Sequence, residues 1–114
     1  MPRANSSVPR HRRHRKIVKL AKGYYGARKS NFKSAKDAVE RGMQYSYRDR
    51  RNKKRTYRRL WIVRINAAVR QHGLSYSKFI NLLKDKDIFI NRKALAHMAV
   101  HDPDGFSNVV KSIS

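Results

Sequence analysis

The chain has 114 residues and carries 29 lysines and arginines against 7 aspartates and glutamates, a formal net charge of +22. A compact domain with this charge repels itself, and a polyanionic partner relieves that repulsion. Because cysteine is absent, disulfide frameworks, thiol nucleophiles and cysteine zinc sites are excluded. Seven carboxylates supply an active site poorly, so we expect no enzyme, no metal, no cofactor and no small-molecule substrate.

Membrane insertion and secretion are also disfavoured. The sequence contains no run of about 18 apolar residues, which is the length a spanning helix needs. The start of the chain, residues 1–5, lacks the apolar segment of a secretory signal.

Charge divides the chain near residue 59. Residues 1–59 hold 21 basic and 3 acidic residues, a net charge of +18, whereas residues 60–114 hold 8 and 4, a net charge of +4. Apolar residues are concentrated in the second part. We therefore expect a basic extension over 1–59 without a core of its own, and a small globular domain over 60–114 that is close to the minimum size for independent folding.

The extension is predicted to contain two helices separated by a bend. A short basic helix covers approximately residues 10–21, and Gly23 and Gly26 then indicate a bend. No proline interrupts the following segment, so a long helix is predicted from about Arg28 to Gln71. A thin apolar stripe on that helix consists of Phe32, Ala35, Val39 and Met43.

Residues 60–114 are predicted to form a helical bundle, because they contain three helix starts and four apolar stripes. Gly73 ends the long helix, and Ser75, Asn91 and Asp102 have the side chains of N-terminal caps. Pro103 occupies the first helical position after the last cap. The stripes are Trp61, Ile65 and Ala68; Phe79, Leu82 and Leu83; Leu95, Met98 and Ala99; and Phe106, Val109, Val110 and Ile113. The predicted class is all-α, with a long basic N-terminal helical extension followed by a small C-terminal helical bundle.

The densest basic segment covers residues 48–59. At ~100° per residue its cations cover about two thirds of the helix circumference, which favours a helix surrounded by phosphates over one lying on a flat surface. A solvated basic helix or a localisation signal is the alternative. The cations are Arg48, Arg50, Arg51, Lys53, Lys54, Arg55, Arg58 and Arg59.

A second basic segment near the start can neutralise phosphates, and its histidines can stack on bases. It also resembles an organellar transit peptide, but the basic character continues beyond any cleavable length. Its members are Arg10, His11, Arg12, Arg13, His14, Arg15, Lys16, Lys19 and Lys22.

Several tyrosines lie among these cations and can stack on unpaired bases. We predict RNA contact for Tyr24, Tyr25 and Tyr57, together with the neighbouring Arg28 and Lys29, whereas Phe32 is predicted to pack inside the protein. Arg92 and Lys93 occupy the first turn of a helix, where their charge opposes the helix dipole. That position favours an RNA-facing role over a structural one.

Other functions receive less support from the sequence. His97 and His101 have the spacing of a zinc helix, but they lie off the apolar stripe and have no cysteine to complete a site. A DNA-compacting protein would need groove-inserting wedges or a dimer seam. A membrane-active peptide would need a wide apolar face, and residues 48–59 offer only Tyr57.

Several long motifs resemble the ribosomal protein L twenty family of the bacterial large subunit. They are KLAKGYYG at 19–26, YRDRRNKKR at 47–55, LWIVRINAA at 60–68, GLSYS at 73–77, INRKALA at 90–96 and AVHDP at 99–103. The resemblance covers roughly residues 10–112, with the motifs in the order typical of that family.

This resemblance implies direct binding to large-subunit ribosomal RNA, with the extension threading into the RNA and the globular part docking on helical junctions. It implies a role early in subunit assembly and none in peptidyl transfer. The implied partners are neighbouring large-subunit proteins and, through translational autorepression, the chain's own messenger RNA. The implied location is the large ribosomal subunit in the cytoplasm, or in an organelle if the source is a eukaryote.

Overall fold

The computed structural model describes residues 5–114, so most of the segment tested above for a secretory signal lies outside the described residues. Every regular element of residues 5–114 is helical, which confirms the predicted all-α class. The elements are α1 (Ser7–Leu20), a 3-10 turn (Gly26–Lys29), α2 (Phe32–Arg70), α3 (Tyr76–Asp85), α4 (Arg92–His101) and α5 (Pro103–Ile113).

The predicted bend after the first helix is confirmed. Helix α1 begins three residues earlier than predicted, because Pro9 lies in its first turn, where a missing N–H is tolerated. Gly23 and Gly26 then have φ values of 90° and 60°. Only a residue without Cβ adopts this left-handed backbone at little cost, so the two glycines turn the chain between α1 and α2.

The predicted long helix is also confirmed, with a later start. Residues 26–29 form the 3-10 turn, and the α2 bonding pattern begins where the Asn31 carbonyl accepts from the Ala35 N–H at 2.7 Å. The helix ends at Arg70, and Gly73 follows it with a φ of 77°.

The chain divides into two compact units, the first ending at Arg51 and the second covering Asn52–Ser114. The boundary between the two units falls within α2. The charge-based division at residue 59 rests on a different property of the chain, and it stays a prediction.

The first unit contains a small core, so the expectation that the extension lacks one is wrong. Ala21, Ala35 and Val39 are buried, and Val18 packs against them. Small side chains let the end of α1 approach α2 closely enough to exclude water from these positions. Met43, the last member of the predicted stripe, is 59% exposed because the cluster does not extend to it.

The second unit has the larger core, built from α2, α3, α4 and α5. The rings of Phe79 and Phe106 meet at its centre with centroids 5.7 Å apart. The predicted stripes supply seven of the nine buried residues. The other two are Val69, which lies beside the first stripe, and Ala96, which no stripe included. Six stripe members are only half-buried: Trp61, Ala68, Leu82, Met98, Ala99 and Val109. The buried residues are Ile65, Val69, Phe79, Leu83, Leu95, Ala96, Phe106, Val110 and Ile113.

All three predicted caps are confirmed, and they fix where the short helices of the second unit begin. The Ser75 hydroxyl accepts from the Lys78 N–H at 3.4 Å. The side-chain oxygens of Asn91 and Asp102 accept from the N–H groups of Ala94 and Gly105 at 2.8 and 3.0 Å. Each cap satisfies a backbone donor that has no partner within its helix.

Candidate nucleic-acid interface

The predicted RNA-binding residues lie mainly on exposed surface. Of the 24, the structure places 22 in the exposed class, and only His14 and Arg92 are half-buried. The basic segment at residues 10–22 lies on α1 and the residue after its cap, while Tyr24, Tyr25, Arg28 and Lys29 lie in the bend and the 3-10 turn. The basic segment at residues 48–59 lies on consecutive turns of α2.

Almost none of this charge is compensated within the described part of the protein. Across residues 5–114 a single ion pair forms, between Arg48 Nε and Asp49 Oδ1 at 3.1 Å, and both side chains are exposed. A surface pair of this kind contributes about 0–1 kcal/mol. The other cations of α1 and α2 therefore remain available to an external anion.

Tyrosines on α2 hold some of these cations in place. The guanidinium of Arg51 lies 3.7 Å from the centre of the Tyr47 ring, and that of Arg48 lies 4.7 Å from the Tyr45 ring. The Lys53 ammonium lies 5.9 Å from the ring of Tyr57. These cation–π contacts fix charged groups at the surface, where a planar base or a phosphate can reach them.

His14 has a different environment from the other members of its segment. Its imidazole stacks on the ring of Phe32, with centroids 3.7 Å apart and planes 11° apart. Desolvation against this ring, followed by the positive charges of Arg10 and Arg13, lowers the pKa of His14 below its usual value. The sequence predicted the inward packing of Phe32, but not that His14 would be its partner.

An open cleft of about 650 Å³ lies where the bend meets the N-terminal part of α2. Tyr24, Tyr25 and Arg28 of the prediction line this cleft, and Lys29 does not. Sequence reasoning missed the contribution of α2, because its lining residues extend along the helix to Tyr45, 20 residues after Tyr25. The spacing of Asp37, Arg41 and Tyr45 at four-residue intervals on one helix face was the available signal. The lining consists of Tyr24, Tyr25, Arg28, Ser34, Asp37, Ala38, Arg41, Gly42 and Tyr45.

Arg92, at the start of α4, has a partner inside the protein. Its Nε donates a hydrogen bond of 2.7 Å to the hydroxyl of Tyr76 on α3. This contact gives Arg92 the structural role that the dipole argument disfavoured, whereas Lys93 is exposed and has no such partner among the described residues. RNA contact by either residue stays a prediction.

Phe89 is an exposed aromatic residue that the sequence reasoning did not select. Ile88 and Ile90 pack against the core of the second unit, so the extended segment between α3 and α4 directs Phe89 outward, 90% exposed. The alternation of apolar residues at 88–90 with an aromatic at the centre was the signal for it.

Other chemistry finds little support in the described part of the chain. The rings of His97 and His101 lie 4.5 Å apart on α4, but residues 5–114 contain no group of three histidine or carboxylate side chains placed to hold a metal ion. None of the helices in residues 5–114 combines the length and the apolar character that a membrane crossing requires.

An all-helical chain that exposes many uncompensated cations along two helices is typical of a non-catalytic protein with a polyanionic partner. Residues 3–109 match the family described as Ribosomal protein L20, and the chain belongs to that family. This confirms the resemblance drawn from the motifs, and it confirms a ribosomal protein in place of an enzyme.

The relatives are similar over nearly their whole length. The chain is 56% identical over 111 residues to large ribosomal subunit protein bL20 of Methylorubrum extorquens, covering 97% of this chain and 92% of the relative. It is 55% identical over 113 residues to the protein of the same name from Salinibacter ruber, covering 99% and 98%. The corresponding protein of Carboxydothermus hydrogenoformans is 54% identical over 111 residues, covering 97% and 95%.

Proposed function

We propose that the chain is a structural constituent of the large ribosomal subunit that binds large-subunit ribosomal RNA directly and supports early assembly of the subunit. The observation that carries this proposal is the set of exposed cations on α1 and α2, of which one forms an ion pair within residues 5–114. Family membership supports large-subunit ribosomal RNA as the polyanion.

Binding would proceed mainly through phosphate contacts. Each lysine or arginine that neutralises a phosphate releases a condensed counterion, and this release drives association at low salt. Cations on several sides of α2 would bridge RNA segments that otherwise repel each other. The second unit would contribute shape and 2′-hydroxyl contacts, because the deep groove of A-form RNA is closed to side chains.

The further partners are proposed on the family resemblance alone. They are the neighbouring proteins of the large subunit and the chain's own messenger RNA, whose translation the protein would repress. An immunoprecipitate of the full chain from growing cells, followed by sequencing of the bound RNA, tests the second partner: enrichment of its own messenger over other messengers is expected.

The proposed phosphate contacts are tested by the salt dependence of binding to an in vitro transcript of large-subunit ribosomal RNA. The variant replaces Arg50, Arg51, Lys53 and Lys54 with glutamine, a good helix former that preserves α2. If all four contact phosphate, the slope of log affinity against log salt should fall in magnitude by about 3, at roughly 0.7–0.9 per contact.

The matched control replaces Lys78, Lys84, Lys86 and Lys111, all exposed in the second unit, with glutamine. It removes the same net charge and should change the slope by less than half as much. Equal slopes in the two variants would show that net charge alone, and not contact by α2, drives binding. Displacement by duplex DNA at equal nucleotide concentration would support the DNA-compacting alternative instead.

A further inference from the structure

The cleft between the bend and α2 has features that general phosphate binding does not require. Its volume of about 650 Å³ falls within the ~300–1,000 Å³ of sites for small molecules. Three tyrosines line it, and all of its lining residues belong to the first compact unit.

The tyrosines present ring surface to a ligand. Tyr25 is 94% exposed and makes no aromatic or cation–π contact within residues 5–114. Tyr24 lies against α2 where Gly42 leaves room for it, since a Cβ at position 42 would be 3.1 Å from the Tyr24 hydroxyl. The bend therefore holds the Tyr24 ring against α2 and leaves the Tyr25 ring free to stack on a ligand.

The polar groups of the cleft are of two kinds. Arg28 comes from the 3-10 turn and Arg41 from α2, so cations lie on both sides of the opening. Asp37 is one of only three acidic residues in the first 59, and its carboxylate forms no ion pair within residues 5–114. A carboxylate is solely a hydrogen-bond acceptor, so it requires donors from the ligand.

We propose that this cleft holds one unpaired guanine of the ribosomal RNA, stacked on Tyr25, with its flanking phosphates on Arg28 and Arg41. The inference rests on the proposed RNA binding and adds a base-specific site to it. The Watson–Crick edge of guanine presents two adjacent N–H donors that match the two oxygens of Asp37. Uracil presents one donor between two carbonyl oxygens, which the carboxylate repels.

Other occupants fit the cleft less well. An acidic peptide or an inorganic phosphate would meet the Asp37 carboxylate as well as the two arginines, and neither would use the flat faces of the tyrosines. An unpaired nucleotide uses all three kinds of group, because it has a planar base, donors on its edge and an anionic backbone.

Photocrosslinking of the full chain tests this proposal. The probes are two transcripts of large-subunit ribosomal RNA, one containing 6-thioguanosine and the other 4-thiouridine, and mass spectrometry locates the crosslinked residues. The guanosine probe should crosslink to peptides that contain Tyr24, Tyr25 or Tyr45, with a yield at least fivefold above that of the uridine probe.

Four variants test the assigned roles. Tyr25→Leu should lower the guanosine crosslink in the cleft about fivefold or more, because a stacked aromatic contributes this much or more to binding of a base. Tyr25→Phe keeps the ring and should keep the crosslink, and Phe89→Leu removes an equally exposed ring elsewhere and should not change it. Asp37→Asn should lower the guanosine-to-uridine ratio even though it removes a negative charge.

The outcomes separate this inference from the proposed function. Salt-dependent RNA binding with crosslinks outside the cleft, or with equal yields from both probes, would overturn the guanine site and leave phosphate binding standing. No binding of either transcript at physiological salt would overturn both. Tyr25 is almost fully exposed, so circular dichroism should show unchanged helicity in its variants.

Discussion

The imidazole of His14 lies parallel to the ring of Phe32 at a centroid distance of 3.7 Å, and this contact joins α1 to the first residue of α2. Both residues belong to the first unit, which also contains the small core of Ala21, Ala35 and Val39. Desolvation of the imidazole and the cations of α1 both disfavour its protonated form, which is why the pKa of His14 is lowered.

We expect the packing of α1 on α2 to weaken in acid. The pKa of His14 is lower in the folded chain than the ordinary 6.5. Between that lower pKa and about pH 6.5, the unfolded chain therefore binds more protons than the folded chain. Stability is therefore lost as pH falls below about 6.5, and the loss is complete below the folded pKa. Histidine NMR signals followed from pH 8 to 4 measure the pKa of His14, and this pKa sets the pH range of the loss.

A matched variant identifies the cause of this shift. Phe32→Leu removes the stacked ring and keeps an apolar side chain, so the pKa of His14 should rise toward 6.5 while the neighbouring cations stay in place. An unchanged pKa in this variant would assign the shift to Arg10 and Arg13, and not to the ring.

Gly105→Ala should destabilise the second unit, although alanine is the better helix former by about 1 kcal/mol. A Cβ at position 105 would collide with the Asp102 carboxylate, whose Cγ would be 2.8 Å away. We expect loss of the cap at Asp102 to cost about 1–2 kcal/mol, the upper part of the usual range, so the net loss should lie between zero and about 1 kcal/mol. Urea unfolding of the full chain, followed by Trp61 fluorescence, measures the change.

Two further substitutions serve as controls for this prediction. Asn108→Ala lies on the exposed face of the same helix and should stabilise it by a few tenths of a kcal/mol. In an Asp102→Ala background the collision is absent, so Gly105→Ala should become stabilising. If it stays destabilising there, the collision with the cap is not the reason.

Phe106→Ala should cost about 3–5 kcal/mol of unfolding free energy, because its ring is buried against Phe79 in the centre of the second unit. Trp61→Ala should cost less, about 2 kcal/mol, since Trp61 is half-buried and packs at the edge of the same core. Thermal and urea unfolding by circular dichroism measures both variants. The reverse order would place Trp61 in the interior, as its apolar stripe predicts.

Tyr76→Phe should lower the unfolding free energy by about 1 kcal/mol, because it removes the acceptor of the Arg92 hydrogen bond. The substitution keeps the ring and should not alter the salt slope of RNA binding. A double-mutant cycle with Arg92→Gln isolates the pair, since its coupling energy reports the hydrogen bond alone. A coupling energy near zero would show that the hydrogen bond does not stabilise the protein, and would favour the prediction that Arg92 contacts RNA.

Residues close together in the sequence were sufficient to predict where the helices of this protein begin and end. Gly23 and Gly26 marked the bend, and Ser75, Asn91 and Asp102 marked three helix starts. These residues act through their own backbone and the next three residues, so neighbours along the chain determine the result. The apolar stripes identified most of the core for the same reason, because a period of 3.6 residues places them on one face.

Contacts between residues far apart in the chain could not be predicted from neighbours in the sequence. The stacking of His14 on Phe32, the hydrogen bond from Arg92 to Tyr76 and the burial of Ala96 depend on how helices approach each other. The cleft of Tyr24, Asp37 and Arg41 is of the same kind. Sequence periodicity gives the face that a helix buries, but not the partner that this face meets.

The sequence alone determined the all-helical class, the helix limits to within a few residues, and the excess of positive charge that favours an anionic partner. Net charge is a sum over residues, and the helices and their limits depend on residues that are close together in the sequence. Only the tertiary structure decided which cations remain free, which histidine has a lowered pKa, and where tyrosines, arginines and one carboxylate surround a common space. Each of these depends on desolvation and distance between segments far apart in the chain, and only packing sets those quantities.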